Sequence, residues 1–367
     1  MMDEFYLERG IKNIGNVSRF QTVFQKAEMG KPITVGFIGG SITMGSLSST
    51  PETCYAYLVK QWFEKTFPGS KITYVNAGIG ATTSQFGVAR VQEDLLSYKP
   101  DLVIAEFSVN DKPEELFEET FEGLIRTILY ASFEPALMMF ENVEYDTGNN
   151  AAAVHDKVGF YYDLPMGDIK SSIYQAILDG RIERGKITPD NLHPNDLGHS
   201  FVAKVLIHLL EKIKEDHQIY EEIIKKEPLS KNEYEHSIRY NSQNAEPSLT
   251  GFIKDESTSY GITDVFKHGY IGKKTGDVLS LIVTAKHIAI QYRKSIVKPA
   301  PIAKAVIDGK EEDAAILDAN FEETWGDCLY LQNVFDGEKE ETHTITITII
   351  SADHTESDFY LASIITA

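Results

Sequence analysis

Between Lys31 and about His208, short apolar runs alternate with longer stretches of helical period, and this alternation constrains the chain more than any other feature. ITVGFI (Ile33 to Ile38) is a bounded apolar run, and Tyr55 to Phe67 reads as a helix stopped by Pro68-Gly69. KITYVNAG follows as a second strand. Ser84 to Tyr98 is then a helix that Pro100 stops, DLVIAEF (Asp101 to Phe107) a third strand and Glu114 to Tyr130 a third helix. PALMMFE (Pro135 to Glu141) is a fourth strand, and Ser200 to Lys214 closes the block as an amphipathic helix. Such alternation predicts βαβ units, a mostly parallel sheet and right-handed crossovers. The first 16 residues do not fit it, and their placement stays open.

The texture changes after Lys214. A polar stretch rich in turn-formers reads as a helix tail and a linker, and beyond it the chain becomes β-like. DVLSLIVTAKHIAIQYRKS alternates, AVIDGKEE carries an Asp-Gly turn signal, and His343 to Ile349 alternates strictly. FYLASIITA makes a last strand. The predicted organisation is an α/β domain over residues 1–215, a linker over 216–250 and a β-sandwich over 251–367.

A chain of 367 residues with 42% apolar content has ample material for two cores. Its net charge of -20, from 35 basic and 55 acidic side chains, opposes nucleic acid or an anionic membrane as a partner. Only Cys54 and Cys328 are present, which excludes a disulfide framework and fits a reducing compartment. MMDEFYLERG has no basic n-region and no apolar h-region, and no apolar run approaches the ~18 residues needed to span a bilayer. The expectation is a cytoplasmic protein, although a chain trimmed of a signal peptide would read the same.

Three sets of residues can carry chemistry. The first strand runs into Gly39-Gly40-Ser41-Ile42-Thr43, where open α/β sheets put their ligands. That loop is a phosphate cradle, a nucleophile turn, or a tight turn whose Ser caps a helix; no Lys follows in the Walker pattern and no G-x-G-x-x-G is present. The second set is Asp190-Asn191-Leu192-His193-Pro194. Asp and His three apart in a turn can meet, giving a base with the acceptor that fixes its tautomer, or they can simply decorate a surface turn. The third is the pair of loops Asn76-Ala77-Gly78-Ile79-Gly80-Ala81-Thr82-Thr83 and Ser108-Val109-Asn110-Asp111. Small residues and an Asn amide suit an oxyanion, and they equally suit βα turns and a capping loop.

All four loops lie at one edge of the predicted sheet, in the order Ser, Gly-rich loop, Asn, Asp-x-x-His. In this the sequence resembles the SGNH, or GDSL-type, hydrolase family: GGSIT is similar to its nucleophile block, NAGIGATTS to its glycine block, SVND to its asparagine block and DNLHP to its last block. The resemblance covers about Lys31 to Leu210. It implies a flavodoxin-like three-layer α/β/α sandwich, with Ser41 as nucleophile, His193 as general base and then acid, and Asp190 orienting His193. It also implies an oxyanion hole of the Ser41 N–H, an N–H of the glycine block and the Asn110 side chain, with no metal or organic cofactor.

Two departures stand out. Gly40 replaces the usual Asp before the nucleophile. The oxyanion glycine aligns with Ala81, which can serve if its φ is negative and its methyl does not crowd the acyl group; a register shift of one hands the role to Gly80. Asp111 is expected to support its loop, and His199 to be a helix-start or core residue rather than half of a metal pair. His155 lies where similar family members carry a helix toward the site's rim, and Tyr161 and Tyr162 are read as core before pocket.

The resemblance implies an ester hydrolase. An α/β domain followed by a β-sandwich is similar to the family's carbohydrate esterases, so a short acyl group, acetyl first, on a carbohydrate is the expected substrate. A lipid or thioester acylhydrolase is the alternative, and a glycan-binding protein on a decayed scaffold is a third. Exposed aromatics on the second domain (Trp325, Tyr330 and Tyr292 are the candidates) would favour sugar binding, and an apolar face there would favour a homo-oligomer interface.

Overall fold

The computed structural model describes residues 3–367 and divides the chain into two compact units, one ending at Glu235 and the other running from His236 to Ala367.

In the first unit the strands are β1 (Ile11–Asn13), β2 (Ile33–Gly39), β3 (Ile72–Gly78), β4 (Leu102–Glu106), β5 (Ala136–Glu141) and β6 (Met166–Asp168). The helices are α1 (Glu4–Arg9), α2 (Ser18–Glu28), α3 (Ser41–Met44), α4 (Tyr55–Thr66), α5 (Ser84–Asp94), α6 (Glu115–Leu129), α7 (Ala152–Tyr161), α8 (Gln175–Leu178) and α9 (Asp196–Glu215). The sheet order is β1-β6-β5-β4-β2-β3, parallel throughout except for β1, which pairs antiparallel with β6. The parallel strands thus follow the 2-1-3-4-5 order of flavodoxin-like folds, with the direction of winding reversing between β2 and β4.

Both faces of the sheet are covered. Val35, Phe37, Ile104, Met138 and Phe140 pack against α2, α4 and α9 in one core. On the other side α6 packs between α5 and α7. Gly87 of α5 lies against Phe107, and Gly159 of α7 against Met139 and Met166. Burial on both faces explains why β4 and β5 are continuous apolar runs rather than alternating ones. The three-layer architecture follows.

Residues 216–250, expected as a linker, are shared between the units. Up to Glu235 the chain has no regular structure, yet its backbone is anchored to the first unit. Gln21 Nε2 donates to the Gln218 carbonyl at 2.9 Å, and buried Glu122 on α6 accepts the Ser230 N–H at 2.7 Å. Arg126 on α6 meets Glu235 at 2.7 Å. These buried charges would be costly unpaired, and the extended chain supplies their partners.

The second unit comprises β7 (Ile238–Tyr240), β8 (Ser248–Thr250), β9 (Ile253–Lys254), β10 (Tyr270–Gly272), β11 (Val278–Lys294), β12 (Ile302–Ile307), β13 (Ala315–Asp318), β14 (Cys328–Ser351) and β15 (Phe359–Thr366). These strands pair antiparallel along the order β13-β12-β14-β11-β15-β10-β9. β11 and β14 pair almost end to end, with register breaks between Ala285 and His287 and between Ile288 and Ala289. Bulges of this kind bend a strand. One end of β11 takes β8 as its second neighbour and the other takes β15, and residues from both ends meet in one apolar cluster. The expected β-sandwich is therefore built from long bent strands. Ile345, Ile347 and Ile349 supply the alternation read in the sequence.

Tyr292 is buried and stacks on Phe359, and Tyr330 lies at the edge under the Lys294 ammonium, 4.5 Å from its ring centre. Trp325 is 57% exposed against the edge of Phe321. Both cysteines are free thiols. Among the described residues no helix is long and apolar enough to cross a membrane.

Candidate active site

β2 ends at Gly39, and the chain turns at once into the four-residue α3, which begins with Ser41. The turn is tight. A Cβ on Gly39 would lie 2.2 Å from Thr43 Oγ1 and 2.5 Å from the Glu106 carbonyl. A Cβ on Gly40 would lie 2.2 Å from Asn110 Oδ1, so no aspartate fits there without displacing Asn110. Ser41 itself is only 7% exposed.

The loop before α9 brings His193 to this serine. Asn191 takes a left-handed conformation (φ 67°), one that asparagine tolerates better than most residues, and its carbonyl accepts the Tyr145 N–H at 2.6 Å. That bend folds Asp190 over the loop: its Oδ1 accepts the N–H groups of Leu192 (3.0 Å) and His193 (2.8 Å). Its Oδ2 lies 2.7 Å from His193 Nδ1, and His193 Nε2 lies 2.8 Å from Ser41 Oγ. An ionised carboxylate only accepts, so Nδ1–H donates to Asp190 and Nε2 is left to accept the serine hydroxyl. Partial burial pushes the Asp190 carboxyl up, but its bonds to the His193 ring and to two backbone N–H groups win and hold it below the usual carboxylate range.

α9 braces this arrangement. Asn195 caps it by accepting the Gly198 N–H at 3.1 Å. Asp196 accepts the Ser49 N–H and hydroxyl (2.7 and 2.6 Å) and the Thr53 hydroxyl (2.7 Å), which draws its carboxyl down to about 2. His199 is buried and pushed down to about 4 by that burial, so it is neutral at pH 7. Its Nδ1 accepts the Tyr55 N–H and its Nε2 donates to the Ser46 carbonyl. It is a core residue that ties α9 to the segment after Ser41. Among the described residues no group of three or more His, Cys, Asp or Glu is arranged to hold a metal.

The glycine block is fastened to α3. Asn76 Nδ2 donates to the Thr43 carbonyl at 2.7 Å, and the Ile79 N–H to the Gly39 carbonyl at 3.1 Å. Buried Arg90 gathers the carbonyls at the ends of β2 and β3, donating to Gly39 at 3.2 Å and Ala77 at 2.8 Å. The condition set for Ala81, a negative φ, is not met: its φ is 56°. A left-handed alanine carries roughly 1–2 kcal/mol of strain, and a glycine would carry almost none. Ala81 is exposed, so its methyl is not packed against the core. Neither its N–H nor those of Gly80 and Ser41 donate to another protein group among the described residues.

Replacing Ala81 by glycine should therefore raise the unfolding free energy by about 1 kcal/mol, net of the extra freedom gained by the unfolded chain. Activity should hold within a few-fold, since the N–H remains. Thermal unfolding and initial rates on one ester check both halves; a lowered melting temperature would contradict the strain.

Asn110 sits on a loop held from below. Glu106 is buried and pushed up to about 7 by that burial, while accepting the N–H and hydroxyl of Ser108, both at 2.8 Å. Asp111 accepts the Ser84 N–H at 2.9 Å and lies 3.0 Å from His155 Nε2, whose ring stacks on Phe121. Asp111 and His155 thus support the loop rather than open onto a rim. Tyr162 is buried and bonds to Glu122 and Arg126, and half-buried Tyr161 donates to the Glu227 carbonyl, so the hydroxyls tie α7 to α6 and to the segment after α9. Glu106 and Asp196 escaped the sequence reading. Asp196 carried a weak signal, an acidic residue in the first turn of a helix, whereas Glu106 is hidden inside an apolar run.

The arrangement is a relay from a carboxylate through an imidazole to a serine hydroxyl, at the carboxyl edge of the sheet and at its switch point. The model of the GDSL-like lipase/acylhydrolase family matches residues 37–201. A thioesterase 1/protease 1/lysophospholipase L1 of Escherichia coli (strain K12) is 26% identical over 189 residues, spanning 49% of this chain and 84% of that protein. Two solved structures of a two-domain esterase (CEX) active on acetylated mannans match nearly end to end. The one co-crystallised with mannopentaose is 45% identical, covering 98% of this chain and 97% of that one with a TM-score of 0.94. The other is 46% identical, covering 98% of each with a TM-score of 0.96. The chain belongs to the GDSL-like lipase/acylhydrolase family and is a carboxylic ester hydrolase.

Proposed function

We propose that this protein removes acetyl groups from carbohydrates, with Ser41 as nucleophile, His193 as base and acid, and Asp190 as the residue that orients His193. The observation that carries the reading is the unbroken relay of 2.7 Å and 2.8 Å from Asp190 through His193 to Ser41. The Ser41 hydroxyl gives its proton to His193 Nε2 as its oxygen bonds to the ester carbonyl carbon. The carbonyl oxygen becomes an oxyanion, held by the Ser41 N–H, an N–H of the glycine block (Gly80 or Ala81, the left-handed φ of Ala81 leaving the condition set for it unmet) and the Asn110 side chain. His193 then protonates the leaving sugar oxygen as the C–O bond breaks. Water, deprotonated by His193, attacks the acyl-serine; acetic acid leaves and the proton returns to Ser41. The lowered Asp190 keeps its charge through the neutral range, so the imidazolium is stabilised in both steps.

The carbohydrate half of the reading is supported by 45% identity, over 98% of the chain, to an esterase active on acetylated mannans. A lipid or thioester acylhydrolase is the second reading, favoured by the 26% identity to the Escherichia coli thioesterase/lysophospholipase. That likeness spans 49% of the chain, so it says nothing of the β-domain. Initial rates on p-nitrophenyl esters from acetate to dodecanoate separate the two. Rates should peak at acetate; a steady rise with chain length would put the lipid reading first.

A further inference from the structure

We infer that Met44 sets the length of the acyl group this site accepts, an inference that rests on the proposed reading of Ser41 as the nucleophile of a short-acyl esterase. Met44 follows Ser41 by three residues on α3, a spacing that puts both side chains on one face. The residues between them turn inward: Ile42 and Thr43 are fully buried, while Met44 is 39% exposed.

The backbone at Met44 is held in place. A Cβ on Gly78 would lie 2.2 Å from the Met44 nitrogen, so β3 and α3 touch there without an intervening side chain. The thioether then reaches over the glycine block. A Cβ on Gly80 would find Met44 Cε at 3.5 Å, Ser41 Cβ at 3.8 Å and Met44 Sδ at 4.0 Å, all ordinary contact distances. The tip of Met44 and the root of the nucleophile therefore border one space beside Gly80, where a methyl-sized group meets both at contact distance. A partly exposed methionine adds little to the core, but its apolar, polarisable tip suits a small apolar group bound to Ser41.

An acetyl group on Ser41 Oγ places its one methyl beside this thioether. Each further methylene must push the tip aside or turn toward solvent. Discrimination by one or two methylenes in such a pocket is worth about ten- to a few-hundredfold. Shortening Met44 removes the wall and leaves Ser41, His193, Asp190 and every backbone N–H of the site in the sequence.

The test is kcat/KM on p-nitrophenyl acetate, butyrate and hexanoate for the native protein and for Met44→Ala, with Met44→Val as a smaller cut of the same wall. The butyrate-to-acetate ratio is expected to rise by about tenfold or more in Met44→Ala and by less in Met44→Val. Because the readout is a ratio within one variant, a loss of folded protein does not move it. A native protein that prefers acetate, with ratios unchanged in both variants, overturns the inference and leaves the short-acyl reading standing. A native protein that already turns over hexanoate best overturns that reading and the inference together.

Discussion

Replacing Ser41 by alanine is expected to lower kcat for ester hydrolysis by about ten-thousandfold to a millionfold, while the protein stays folded. The size of the effect follows from the geometry. With Ser41 gone, His193 Nε2 has no hydroxyl to deprotonate and only water remains as a nucleophile in the site. Stability should change little, because Ser41 Oγ bonds to a half-buried histidine rather than to the core. The measurement is the initial rate on p-nitrophenyl acetate beside the thermal unfolding midpoint. A rate within tenfold of native would mean that another group attacks.

Asp190→Asn should cost about a thousand- to ten-thousandfold in kcat, for a different reason. Asp190 uses both oxygens as acceptors, Oδ2 from the His193 ring and Oδ1 from two backbone N–H groups. Asparagine has one carbonyl oxygen, so its amide nitrogen must face a donor on one side or the other. If the backbone N–H groups keep the oxygen, the amide NH2 points at Nδ1 and favours the tautomer protonated on Nε2. That tautomer cannot take the serine proton. The loop should persist, so a native-like melting temperature with a collapsed kcat is the expected pair of results. A kcat within tenfold of native would show that Asp190 does not orient His193.

The parallel sheet was legible because its strands are buried on both faces and so read as unbroken apolar runs, as in ITVGFI and DLVIAEF. The short strands β1 and β6 were not, since three residues carry no period. Residues 216–235 read as a linker because their backbone makes many of the contacts and their side-chain pattern is silent. A buried Glu122 and Arg126 on a distant helix decide where that segment lies. Of the candidate site, Ser41, Asp190 and His193 were legible from their order and spacing, since an Asp-x-x-His turn brings its own two members together. The join to Ser41, 152 residues away, needed the sheet. The left-handed φ of Ala81 was hidden, because alanine gives no local signal for a conformation that tertiary contacts impose. Met44 was hidden as well: its place beside Gly80 exists only once α3 and the glycine block are packed.

In the proposed reaction Ser41 clears acetyl groups from a carbohydrate. The most direct test is acetate release from an acetylated mannooligosaccharide by the native protein and by Ser41→Ala, followed together with the mass of the glycan. The native protein is expected to free acetate and leave the sugar backbone uncut, and the variant to free none above buffer. Equal release by both proteins would contradict the assignment of Ser41, and no release by the native protein, despite turnover of p-nitrophenyl acetate, would contradict the carbohydrate substrate.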